Sequence, residues 1–512
     1  MSQTPVQEQY ENCDQKQRST NHQDSWEKEI VSWISNTGTI HPYLTFSSTD
    51  RSVRITNDVP QKTVLMNIPI SEYCLTIKTL NSTEYGRRLV GAIEQMKNEL
   101  SNDTNDLLLA LYLAQIPNDH LRPYLATLPT SESYDTIPRR WSEDKLSSLL
   151  GGTMLLKRSR DDKNNLKRDY ETIVNSLLRN CDITSEKPFP SFEKFDDMFA
   201  AVSSRAFAGL GSDDCKMDAM VPLLDLLDHR RGVGGKKDVR YKRCVSTERG
   251  VTTAAIEVVA DRDLSAGSIL HDTYGAKGNA QLLSRYGFCI ENNIEPDGSS
   301  NDVVEFIIKP GKPAVELRAG PKSYTYGGFV KALELFLDEE HEENSDDDGN
   351  DDTKDDIEAF LEMDEEEESG GFGMMYGDNM DDNEGEEEDE TQSIKAECLA
   401  LEKLSFSLES TRQGYSLKGT TLQDTLKKND YSPEHCSAIL VHSEMRTLLL
   451  FKLAADKIRW QLQGGEEGDK TMYKQLDDTL LTQIDELVAA YGAIRHGGLI
   501  SECSNTATRI MP

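Results

Sequence analysis

Residues 271–288 read His-Asp-Thr-Tyr-Gly-Ala-Lys-Gly-Asn-Ala-Gln-Leu-Leu-Ser-Arg-Tyr-Gly-Phe. Two Tyr-Gly pairs, Tyr274-Gly275 and Tyr286-Gly287, bracket a short segment of helical composition. In each pair a phenol stands beside a point where the backbone can turn sharply or leave room for a ligand. Upstream, residues 220–229 read Met-Val-Pro-Leu-Leu-Asp-Leu-Leu-Asp-His, and before them comes Ser204-Arg205-Ala206-Phe207. The three pieces are separated by about 15 and 45 residues, spacings of an element plus its loop.

The chain around them has 512 residues, room for two or three domains and a sizeable core. Its formal net charge of −34 is uneven: 28 Asp and Glu against a single lysine, Lys354, fall between residues 338 and 390. The rest of the chain then carries only about −7, ordinary for a soluble protein. The acidic stretch, 338–391, offers too little apolar surface to offset ordering entropy and reads as disordered. The polar, Gln-rich residues 1–24 read as a disordered tail.

Composition also narrows the partners. No basic stripe would neutralise phosphates, so nucleic acid is not expected. The nine cysteines form no C-x-x-C pair, which argues against a metal cage and for a reducing compartment. No apolar run is long enough to cross a membrane, and the N-terminal residues lack a signal-peptide core. Cytoplasm or nucleus is expected, with a plastid location left open.

Hydrophobic spacing predicts a helix from Trp26, and residues 52–69 read as two strands joined by a turn at Asp58 and Pro60. A helical stretch follows over about 80–200. Strand character returns at 251–259, 268–272 and 302–317, and helices are expected at 330–336, 394–408, 440–463 and 473–491.

In this order the three motifs resemble those of SET-domain methyltransferases, in particular the subfamily of the Rubisco large-subunit lysine methyltransferase. That subfamily carries a Ser-Arg-x-Phe helix end, a Pro-x-x-Asp-x-x-Asn-His segment and a Tyr-Gly…Asn-Ala-x-Leu-x-x-x-Tyr-Gly-Phe ending. Here these are Ser204–Phe207, Pro222 to His229, and Tyr274 to Phe288. Pro123-Tyr124 and Leu128-Pro129 are similar to a further signature of the subfamily. The resemblance implies an α+β fold: a SET-domain β-fold over residues 25–295, with its helical insertion at about 80–200, then an all-α substrate-binding domain over 296–512 that the acidic segment interrupts.

The resemblance further implies methyl transfer from S-adenosylmethionine to a lysine side chain of a non-histone protein, by a monomer. A charged ε-ammonium is no nucleophile, so such a site must favour the neutral amine by desolvation and hold it in line with the methyl. By resemblance, Tyr274 is the phenol beside the methyl, Tyr286 walls the lysine channel and Phe207 lines it. Arg205 points to the carboxylate of the cofactor, and Asp228 and His229 belong to the cofactor pocket. Arg51 and Ser52 fall where the backbone of the subfamily approaches the cofactor. Asp225 reads as a buried hydrogen-bonding residue, Cys289 as an inert buried thiol.

Two departures stand out. Asp228 replaces the Asn that precedes His in the subfamily, and ionised Asp only accepts hydrogen bonds. The opening loop, Thr49-Asp50-Arg51-Ser52, lacks the usual glycines, so its side chains are expected to reshape the pocket. Two alternatives therefore stay open. One is a protein-histidine methyltransferase of the actin-histidine type, which tends to differ at the positions of Phe207, Leu224 and Tyr286. The other is a catalytically weak SET-fold binding protein whose acidic arm engages a basic partner.

Overall fold

The computed structural model describes residues 26–115, 119–179, 189–211, 218–231, 237–248, 251–308, 313–320, 322–344, 383–428, 430–465 and 476–495. They fall into two compact units, one within 1–291 joined by 416–440, the other within 292–415 and 441–512. The tail at 1–24 lies outside the described residues.

The first unit is built on a four-stranded antiparallel sheet, in the order Thr39–Ile40, Val64–Pro69, Val251–Ala260, Val239–Glu248. Along Val251–Ala260 the fully buried residues are Ile256, Val258 and Ala260, the period of two of a strand with one face on the core. A register shift between Val64 and Met66 lets the adjacent Leu65 and Met66 both enter the core. The sequence reading passed over Val239–Glu248, where Arg240, Lys242 and Arg243 dilute the apolar alternation.

Residues 52–69 do form two strands, but these do not pair with each other. Val53–Ile55 pairs with Leu44–Phe46, whereas Val64–Pro69 joins the four-stranded sheet. The turn between them is anchored elsewhere: Val59 donates to Leu264 O at 2.9 Å, and Asp58 accepts from Ala266 N at 2.8 Å. Pro60 has no N–H to give to a hairpin ladder. The chain is thus led across to 264–266 instead of folding back on itself.

Two motifs meet in a short parallel pair. Asp228–His229 lies beside His271–Asp272, with Asp228 opposite His271 and His229 opposite Asp272. The third motif comes from helix Phe192–Arg205, capped by Ser191 and buried through Phe195, Phe199 and Val202 at helical spacing. It packs against Thr104–Gln115, in which every residue from Leu107 to Ala114 is buried, as expected of a helix enclosed in a core. The helix ends at Arg205, and Phe207 bridges to Ala219 as the chain leaves it.

The second unit holds an antiparallel pair, Val304–Phe306 with Val315–Leu317, and helices Lys322–Asn344, Asn383–Gln413 and Asp478–Arg495. The portion of helix Pro433–Leu462 from residue 441 onward also belongs to it. Its core includes the stacked rings of Phe329 and Phe451, 6.2 Å apart, and the buried Tyr415 hydroxyl donating to Glu444 at 2.7 Å.

Two boundaries differ from the sequence reading. Helix runs into both ends of the acidic segment, through 338–344 and 383–391, because glutamate-rich ends extend helices nucleated by apolar neighbours. Its remainder, 345–382, lies outside the described residues. Residues 416–440, assigned by that reading to the C-terminal helical domain, pack in the first unit, where Ser416 bonds the carbonyls of Gly151 and Ser147 at 2.8 and 2.9 Å. Among the described residues no helix is long and apolar enough to cross a membrane.

Candidate active site

Helix Asn279–Tyr286 separates the two Tyr-Gly pairs and stops at Gly287, which has φ +79° and caps the carbonyls of Leu282 and Leu283. A Cβ at Gly287 would lie 2.0 Å from Thr136 Oγ1, so both the conformation and the space demand glycine. This stop brings Tyr286 back onto Tyr274. The two rings stack with centroids 4.6 Å apart and planes 25° from parallel.

Tyr274 is fixed at both ends. Its backbone N–H donates to His229 Nδ1 at 2.9 Å and its hydroxyl to Leu227 O at 3.3 Å. With Nδ1 accepting, a neutral His229 carries its proton on Nε2, which is buried without a partner. Burial first, then Arg231, His271 and Lys277, brings the His229 pKa down to about 3. The imidazole is therefore neutral at physiological pH. Burial holds the Tyr274 hydroxyl well above the usual phenol range, and Asp228 adds to the effect.

A cavity of about 200 Å³ opens beside the stacked tyrosines, with Arg51, Ser204, Arg205 and Asp228 on its other sides. The Arg205 guanidinium donates to the carbonyl of Asp225, while its Nε has no partner. Burial pulls its pKa down, but Tyr134, Asp225, Tyr274 and Tyr124 outweigh that and raise it. Asp225 is buried, accepts from the Tyr124 hydroxyl at 2.8 Å and is raised above the carboxylate range by burial, against the pull of Arg205. It is a hydrogen-bonding residue of the wall, and Cys289 likewise is buried.

The opening loop supplies the second cation. Arg51 adopts φ +52°, the left-handed conformation that a glycine would take without strain. Its neighbour Asp50 holds the loop, accepting from Ser52 N at 3.1 Å, Ser52 Oγ at 2.6 Å and Arg54 Nη2 at 2.6 Å. The Arg51 guanidinium donates to the carbonyl of Thr127. Burial first, then the like charge of Arg205, lowers its pKa to about 10. Two guanidinium groups on one cavity repel each other, and an anion between them would relieve both.

Of the residues singled out from sequence, Arg51, Arg205, Asp228, Tyr274 and Tyr286 come together on the cavity. Ser52 is buried against Asp50 and is not among the lining residues. His229 stands behind Tyr274, 5.1 Å from it ring to ring. Phe207 is also off the lining, its ring edge-on to Tyr241 at 5.2 Å. Tyr134, Phe288 and Tyr431 line the cavity and were missed. Phe288 ends the Tyr-Gly-Phe motif and was within reach of the sequence reading, whereas nothing in the local sequence marks Tyr134 or Tyr431.

No family model matches the chain. The crystal structure of the SET domain of LSMT bound to lysine and AdoHcy superposes with a TM-score of 0.57 at 17% identity, covering 88% of this chain and 95% of that one. The chain has the SET-domain fold. Among curated proteins, N-lysine methyltransferase setd6 of Xenopus tropicalis is 26% identical over 267 residues, 50% of this chain and 52% of that protein. The actin-histidine N-methyltransferase of Canis lupus familiaris is 23% identical over 275 residues, 52% of this chain and 43% of that protein. The chain spans about half the length, or less, of these curated relatives. Within the SET fold, the parallel pair of 228–229 with 271–272 is the element that sets His229 against Tyr274.

Proposed function

We propose that the chain is an S-adenosylmethionine-dependent protein-lysine N-methyltransferase. The observation that carries this reading is the cavity itself: a stacked tyrosine pair on one side, two guanidinium groups on the other. S-adenosylmethionine, when bound, supplies an electrophilic sulfonium methyl. Arg205 and Arg51 fit its carboxylate, the anion that the paired cations require. His229, set behind Tyr274, accepts from the backbone N–H of that residue and keeps it in place, and Asp228 sets a negative charge near the cation. The open Nε donor of Arg205 thus matches the anionic end of the cofactor.

The reacting end falls to the tyrosines. The Tyr274 hydroxyl stays protonated and donates to Leu227 O, so the phenol oxygen and that carbonyl form a pair of acceptors for weak C–H contacts. Tyr286 and Tyr274, stacked at the cavity, provide aromatic walls on which an aliphatic lysine stem can lie. Such walls desolvate the amine and shift it toward the neutral, nucleophilic form. The target is proposed to be a protein, and the acidic segment favours a basic one by charge complementarity.

The reading is tested by incubating the full chain with methyl-labelled donor and an extract of its own source, then hydrolysing the labelled proteins. Methyl-lysine is expected, and Tyr274→Phe is expected to lower its formation at least 100-fold while leaving the thermal midpoint within a few degrees. Methyl-histidine as the product would move the assignment to the histidine branch. No labelled product would leave only a SET-fold binding protein.

A further inference from the structure

Tyr431 lines the cavity from a stretch of chain remote from the motifs, and none of the steps above uses it. Its backbone has φ +51°, a conformation that a bulky side chain resists. Among the described residues five besides the glycines take such a positive φ, and two of them, Arg51 and Tyr431, stand on this cavity. Of the five, Tyr431 alone is aromatic. Backbone strain of this kind persists only where the surroundings impose it, and it gathers at ligand contacts.

The neighbours of Tyr431 show what imposes it. Its N–H donates to Nδ1 of the fully buried His435 at 3.3 Å, the same device by which His229 holds Tyr274. With Nδ1 accepting, a neutral His435 carries its proton on Nε2, which faces Glu291 Oε1 at 3.5 Å, just beyond Phe288 of the cavity wall. Asp430 accepts from Ser432 N at 3.0 Å and Ser432 Oγ from His435 N at 3.1 Å, closing the loop around the tyrosine. The segment is also moored to helix Glu143–Leu150, by Ser416 on Ser147 O and by Glu434 to Lys145 at 3.3 Å. Residues 416–440 thus form a strap fastened within the first unit, and Tyr431 is where it meets the cavity.

From this geometry we infer that Tyr431 is a donor-binding residue, and that filling of the cavity and docking of residues 430–436 reinforce each other. The inference rests on the methyltransferase reading and adds to that site a contact that none of the motifs carries. The charged groups on the same cavity, Arg51, Arg205 and Asp228, are those that fit S-adenosylmethionine, so the donor is the ligand that Tyr431 meets. A phenol ring offers it a broad apolar face with a polar tip. Linkage is reciprocal: a strap residue that strengthens donor binding is itself held more firmly once the donor is bound.

The test is calorimetric titration of the full chain with S-adenosylhomocysteine, alongside Tyr431→Gly, followed by hydrogen exchange of both proteins at equal occupancy. Glycine takes φ +51° without strain, so the variant removes the ring and lets the backbone stay where it is. Its affinity is expected to fall about tenfold, the scale of an ordinary coupling between sites. Bound ligand is expected to slow amide exchange over 430–436 about tenfold in the wild type and less than about threefold in the variant. Equal affinity in the two proteins, equal slowing in the two, or no slowing over 430–436 in the wild type would overturn the inference. The wild-type exchange does not depend on the variant folding. Failure of the wild type to bind S-adenosylhomocysteine at all would instead defeat the methyltransferase reading, and the inference with it.

Discussion

The cavity has two walls built in opposite ways. On one, Tyr274 and Tyr286 are set by regular structure: a parallel strand pair, a short helix and a glycine that stops it at φ +79°. On the other, Arg51 is set by a loop with no glycine, held in the left-handed region by hydrogen bonds converging on Asp50. The first wall follows the motif of the subfamily residue by residue. The second departs from it, yet it reaches the turn with a side chain in place and adds a cation that glycine could not supply. A missing glycine therefore does not mean a missing turn. It marks a place where backbone strain, of the order of 1–2 kcal/mol for an ordinary residue in this region, is offset by neighbouring contacts.

The two walls should respond to substitution in opposite directions. Gly287→Ala carries the largest expected effect. Its Cβ would meet Thr136 Oγ1 at 2.0 Å in a conformation that alanine resists, so a loss of about 2–4 kcal/mol is expected. A fall in the urea midpoint at unchanged slope would register it. Arg51→Gly is expected to go the other way, raising stability by up to about 1 kcal/mol through relief of strain. The same substitution should weaken donor binding about tenfold, the share of one charge-assisted contact. If Arg51→Gly lowered stability and left donor affinity unchanged, the loop would be an ordinary structural turn and the contrast between the walls would fail.

The tyrosine wall was legible in the sequence because residue type and spacing carry its chemistry. Tyr274, Tyr286, Arg205 and Asp228 were all named from motifs and all reach the cavity. The α+β body and the helical C-terminal region were legible from periodicity in the same way. Strand Val239–Glu248 was not, since its basic residues hide the alternation that marks a buried face. The pairing of Val53–Ile55 with Leu44–Phe46 depends on Asp58 and Val59 finding partners some 200 residues away, which no local pattern encodes. Tyr431 reaches the cavity because 416–440 returns to the first unit, a long-range choice of the same kind. The loop at Arg51 was legible as an anomaly, but its outcome was not. Whether a non-glycine residue accepts φ +52° depends on what Asp50 and Thr127 offer it.

The central claim is that the paired guanidinium groups, beside a Tyr274 held in place by the neutral His229, form a pocket for S-adenosylmethionine. Calorimetric titration of the full chain with S-adenosylmethionine, alongside Arg205→Met, tests it most directly. The account predicts saturable one-to-one binding by the wild type and a loss of at least 100-fold in affinity for the variant, the ~3 kcal/mol expected when a buried charged donor is removed from its anion. No heat of binding in the wild type, or equal affinity in the two proteins, would contradict it.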